Sequence, residues 1–88
     1  MLERDPNIVT SGLSRPVTRD DITVELCIYR LEDEKEWALE VVNSAGTSIV
    51  WDEQFPTDDA ANAEFLRTVA NEGMTAFLDS AKVIRFPR

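Results

Sequence analysis

From Ile22 to Tyr29 the side chains alternate cleanly. Ile22, Val24, Leu26 and Ile28 fall on one side of an extended chain, and Thr23, Glu25, Cys27 and Tyr29 fall on the other. A period of two, with β-branched residues on the apolar side, predicts a half-buried strand over 22–30. The same pattern returns twice. Over 36–43, Trp37, Leu39 and Val41 oppose Ala38, Glu40 and Val42; over 47–55, Ile49 and Trp51 oppose Val50 and Asp52.

The turn between the second and third strands fixes their register. If Ser44, Ala45 and Gly46 form a three-residue loop, Gly46 takes the left-handed position that such loops require. Asn43 then faces Thr47, Val41 faces Ile49 and Leu39 faces Trp51, so the apolar partners share one face. A two-residue loop would set Leu39 against Val50 and turn Ile49 and Trp51 outward, because a slip of one residue inverts every side chain.

Past Pro56 the period changes. Thr57 and Asp58 are N-cap candidates, and Asp58 and Asp59 suit the positive end of a helix dipole. With Leu66 as the centre of the apolar stripe, Val69, Ala70, Gly73, Phe77 and Ala81 lie near it at about 100° per residue. This predicts an amphipathic helix over 58–81. Gly73 falls within its apolar face, where a missing side chain would let the helix approach a bulky residue such as Trp37 or Trp51; a kink at Gly73 is the competing reading.

The ends carry weaker patterns. Residues 1–21 hold Pro6, Gly12 and Pro16 without a sustained period and are expected to form a flexible N-terminal arm. Val83, Ile84 and Phe86, ahead of Pro87, suggest either a short fourth strand at 83–86 or a strap closing the core. The expected architecture is an α+β fold of β-β-β-α order: a three-stranded antiparallel meander covered on one face by a C-terminal helix, in one small domain spanning 22–88.

One helix covers one face of a sheet. The opposite face is expected to present Thr23, Glu25, Cys27, Tyr29, Ala38, Glu40, Val42, Ser48, Val50 and Asp52. Cys27, Tyr29, Ala38, Val42 and Val50 are more apolar than a solvated face needs, and they form the candidate interaction surface.

Composition narrows the chemistry. The 88 residues contain no His, one Cys and three Gly. That removes His-based nucleophilic triads, ordinary structural zinc sites and glycine-rich phosphate loops. Cys27 sits between Glu25 and Tyr29 without a nearby cation, so its thiolate is disfavoured and a packing role is expected. The acid pairs Asp20–Asp21, Asp52–Glu53 and Asp58–Asp59 lack the spacing of a calcium loop. No catalytic residue, cofactor or metal site is predicted, and a non-enzymatic role is expected.

The charge is unevenly placed. Residues 22–56 set Arg30 and Lys35 against eight acidic residues, and this segment holds most of the chain's net −8. A phosphate backbone would be repelled there, whereas a basic protein surface would be attracted. No apolar run reaches the roughly 20 residues of a membrane span, no secretory leader is legible, and a single Cys agrees with a reducing compartment. A cytoplasmic interaction domain is therefore expected, either self-associating as a homodimer or binding a basic partner surface through its open sheet face. The alternative is nucleic-acid binding. The three-strand-plus-helix order is similar to that of AP2-type and integrase-arm DNA-binding domains, which lay the sheet in the major groove. The resemblance covers topology only, and Glu25, Glu40 and Asp52 stand where such a sheet would carry Arg and Lys.

Overall fold

The computed structural model describes residues 7–78. Strand β3 (Ile22–Leu31) is the spine of an antiparallel sheet that also contains β1 (Ile8–Thr10), β2 (Arg15–Arg19), β4 (Ala38–Asn43) and β5 (Ser48–Val50). β1 and β2 lie one after the other along one edge of β3, β4 pairs with its other edge, and β5 pairs with β4. Helix α1 (Asp58–Glu72) and a short 3-10 turn, Met74–Phe77, cover one face. The chain is thus a small α+β domain with an antiparallel sheet packed on one C-terminal helix.

The meander has the register that the Gly46 loop demands. Val41 faces Ile49, and Glu40 and Val42 face Val50 and Ser48. The Asn43 N–H donates to the Thr47 carbonyl at 3.0 Å, the Trp51 N–H reaches the Leu39 carbonyl at 3.1 Å, and Gly46 has φ 90°. Asn43 braces the turn from inside. Its Oδ1 accepts from the Ala45 and Thr47 N–H groups, and its Nδ2 donates to the Phe77 carbonyl at 2.8 Å. The third strand is shorter than 47–55: regular pairing stops at Val50, and the chain bends through 52–54. It rejoins the sheet at an isolated Trp37–Phe55 bridge.

The described part of the expected N-terminal arm is instead two strands. Arg15 to Arg19 face Leu26 to Ile22, and Ile8 to Thr10 face Leu31 to Tyr29. Between them the Ser11 N–H still donates to the Ile28 carbonyl at 2.8 Å, but the Ile28 N–H is met by the Ser14 hydroxyl at 3.0 Å, which also donates to the Ile28 carbonyl at 3.1 Å. Pro16 is tolerated because β2 is an edge strand. Ser11 and Arg15 tie this segment to the helix: Ser11 Oγ donates to Asp58 at 2.7 Å and Arg15 to Asn62 at 3.2 Å. The β2–β3 hairpin turns through Asp20 and Asp21, both with positive φ (55° and 66°), the requirement of a two-residue primed turn.

The helix also departs from expectation. It ends at Glu72 rather than reaching 81, because Gly73 adopts φ 80°, ψ 167°, a conformation open to little besides glycine. Among the described residues a Cβ on Gly73 would meet only Thr75 Oγ1, at 3.9 Å, so the residue is present for its backbone and not for close helix–sheet approach. The N-terminus is as expected: the Thr57 hydroxyl accepts from the Ala60 N–H at 3.0 Å, a cap worth about 1 kcal/mol. The apolar stripe, however, is rotated from the Leu66-centred one. Ala61, Phe65 and Val69 are buried with Glu64 and Thr68, whereas Leu66 is 43% exposed.

The core lies between sheet and helix. Val24, Leu26, Ile28, Leu39, Val41, Ile49 and Trp51 meet Phe55, Ala61, Phe65, Val69, Met74 and Phe77. Phe65 stacks on Phe77 with ring centres 5.9 Å apart, and Phe77 packs against Trp51 at 6.3 Å. Trp37 and Ile22, both expected in the core, are half-buried at its margin. The expected strand or strap at 83–86 lies outside the described residues.

Candidate interaction surface

Strand alternation sends a second set of side chains to the face that the helix does not cover. All five predicted surface residues stand on it, and the register brings them together. Tyr29 is directly opposite Ala38. Cys27 is opposite Glu40, which in turn faces Val50, and Glu25 is opposite Val42. Directly paired side chains have Cβ atoms about 5 Å apart, so this is one continuous patch. Asp52 was also expected here; it is exposed, in the bend after β5.

Glu40 occupies the centre. Its carboxylate accepts hydrogen bonds from the Ser48 hydroxyl and the Tyr29 phenol, with Cys27 and Val50 on its two flanks. Burial pushes the Tyr29 phenol above its ordinary pKa, and the neighbouring Glu40 charge and hydrogen bond act in the same direction. Cys27 is raised too, by burial first and then by Glu40 and Glu25. Its thiol therefore stays protonated at neutral pH, and the nucleophilic form is suppressed.

The N-terminal extension of this face and the fixation of Glu40 were not legible beforehand. β1 and β2 extend it: Ile8, Thr10, Pro16 and Thr18 face Leu31, Tyr29, Glu25 and Thr23, and Ile8 is 60% exposed. Ser48 fixes the Glu40 carboxylate, which only the β4–β5 register could reveal. Among the described residues, the outward strand positions carry Glu25 and Glu40 but no Lys or Arg. The basic residues of these strands, Arg15, Arg19 and Arg30, alternate to the other side.

Several other charged groups are committed to structure. The Arg30 guanidinium lies over the Trp37 ring, 5.2 Å from its centre, and donates to the carbonyls of Leu31, Glu32 and Glu34. It thereby folds the acidic 32–36 loop onto the sheet end and lines the shallow depression there. Buried Glu64 accepts from the Trp51 indole at 3.2 Å and pairs with Arg67, one turn along the helix. Asp58 is held by Ser11, and Asp20 and Asp21 form a hairpin tip. Among the described residues, no group of three or more His, Cys, Asp or Glu is placed to hold a metal ion, and no helix is long and apolar enough to cross a membrane. No known protein family matches the chain, and no curated protein or solved structure is detectably similar to it.

Proposed function

We propose that this protein is a non-catalytic interaction module of the cytoplasm that binds a protein partner through the outer face of its sheet, and that the partner presents Lys or Arg among apolar side chains. The observation that carries this reading is the composition of the patch. Cys27, Tyr29, Val42 and Val50 surround a fixed central carboxylate, and no described outward position supplies a cation to balance it. A cationic group arriving from a partner finds Glu40 already oriented by Ser48 and Tyr29, while apolar side chains beside it remove Val42 and Val50 from water.

The same composition argues against the homodimer. Stacking two copies face to face would bury Glu25 and Glu40 of both in an interface where the described outward strand positions supply no cation, and carboxylates desolvated without a partner are costly. It argues against a nucleic-acid interface for a parallel reason, since a sheet laid on phosphates needs cations where these strands have carboxylates. The raised Cys27 pKa supports a role in packing and recognition over nucleophilic chemistry. An unpaired cysteine on an accessible face agrees with a reducing compartment.

Selection from a random peptide display library tests the reading. The wild-type protein is expected to enrich peptides in which Lys or Arg alternates with aliphatic or aromatic residues, and Glu40→Lys is expected to lose that enrichment. The same peptides recovered from both proteins, or none from the wild type, would overturn it.

A further inference from the structure

We infer that the partner binds as an added strand: an extended segment of it pairs antiparallel with the outer edge of β5, and its cation reaches Glu40 across that strand. The inference rests on the proposed function of the outer face and states how the partner engages it.

The register of β4 and β5 determines which backbone groups face outward from the edge. The Asn43 N–H bonds to Thr47 and the Trp51 N–H to Leu39. Hydrogen-bonded and non-hydrogen-bonded pairs alternate along an antiparallel ladder, so Glu40–Val50 and Val42–Ser48 are pairs of the second kind. The N–H and C=O groups of Ser48 and Val50 therefore point away from β4, and among the described residues none of them meets a backbone partner. Such groups are a template for one more strand. The edge is only three residues long, so the backbone alone offers little and side chains must select the occupant.

Those side chains favour Lys or Arg. Ser48 and Val50 turn to the outer face, and Glu40 stands directly beyond Val50, its carboxylate bonded to the Ser48 hydroxyl. A residue opposite Val50 on the added strand has its Cα about 5.5 Å from that of Val50, which is about 4.5 Å from that of Glu40. A Lys or Arg stem spans this interval by lying along Val50, itself 45% exposed, with its charged head at the carboxylate. The next residue of the segment points to the opposite side of the sheet, beside Ile49, so the fitting sequence alternates cations with apolar residues. A second copy of β5 fits less well, since it brings Ser48, Ile49 and Val50 and no cation.

The test uses the full chain and a capped peptide of alternating lysine and valine in three forms: unmodified, N-methylated at the lysines, and N-methylated at the valines. With the lysines turned to the outer face, their N–H groups are the ones that meet β5, whereas the valine N–H groups point away. By calorimetric titration the unmodified and valine-methylated peptides are expected to bind alike. Methylation of the lysines is expected to weaken binding about tenfold, through lost hydrogen bonds with the side chains unchanged. Amide exchange followed by NMR is expected to find Ser48 and Val50 unprotected in the free protein and slowed about tenfold by saturating unmodified peptide.

Equal binding by all three peptides would overturn the added strand and leave the side-chain reading of the face standing. Loss on methylating the valines alone would overturn the antiparallel arrangement. Binding by none of them would remove the reading of the face as well. Protection of Ser48 and Val50 before any peptide is added would mean that the edge is already paired, and protection that rises with protein concentration would assign it to a second copy; either result rejects the inference.

Discussion

The two faces of the sheet are made from alternate residues of the same strands, yet they are built to different ends. On the inner face, Leu26, Ile28, Leu39 and Val41 have no measurable exposure, and every neighbour they meet across the layer belongs to this chain. On the outer face, their immediate neighbours Cys27, Tyr29, Glu40 and Val42 are half-buried, with no described helix over them. Hydrophobic content alone does not separate the two. What separates them is completeness. The inner face brings its own cover and its own polar partners, as in the Trp51–Glu64–Arg67 chain, whereas the outer face holds a fixed carboxylate and apolar surface over which no described helix lies.

The sharpest way to break the comparison is to truncate one apolar side chain on each side. Phe65→Ala empties the centre of the aromatic stack with Phe77 and is expected to cost about 3–5 kcal/mol, enough to unfold much of the population of so small a domain. Val42→Ala on the outer face is expected to cost under about 1 kcal/mol, in keeping with partly exposed positions. Urea denaturation followed by tryptophan fluorescence compares the two; similar losses would erase the distinction between the faces.

Much of this was legible in the chain because it is local. Alternation identifies both faces of β3 and β4, and one glycine after Ser44 and Ala45 fixes the β4–β5 register, so all five surface residues could be named in advance. β1 and β2 were hidden because three- and five-residue strands have little period of their own. Their order comes from the β3 edge, from a Pro16 that only an edge permits, and from a serine hydroxyl that replaces a missing backbone partner. The helix was misphased for a different reason. Leu66 and Ala70 are apolar but face outward, while Glu64 and Thr68 are polar but buried. Burying Glu64 becomes tolerable because groups such as the Trp51 indole and Arg67 meet it, and no periodicity within the helix contains that information. The role of Glu40 followed the same rule: the carboxylate was visible on its strand, but its fixation by Ser48 and Tyr29 needed three strands side by side.

Gly73 sharpens the comparison from the covered side. With φ 80° and open space around its α-carbon, Gly73→Ala is expected to destabilise through backbone strain, by about 1–3 kcal/mol, without overpacking the core. Gly73→Leu is expected to cost nearly the same, since among the described residues nothing crowds a Cβ added there. Denaturant midpoints for the two variants check this; a much larger loss for leucine would restore a close-approach role for Gly73.

The smallest change in stability should accompany the largest change in binding. In the Cys27→Ser/Val42→Thr/Val50→Thr variant, the outer face keeps its shape, its β-propensity and its carboxylates but loses apolar surface. The most direct test is a fluorescence titration of a selected basic–apolar peptide against this variant and the wild type, with urea midpoints taken on the same samples. The expected result is a stability within about 1 kcal/mol of the wild type together with at least a tenfold loss of affinity. Unchanged affinity, or loss of cooperative unfolding, would mean that the outer face is either inert or part of the fold's support, and would contradict the division between the two faces.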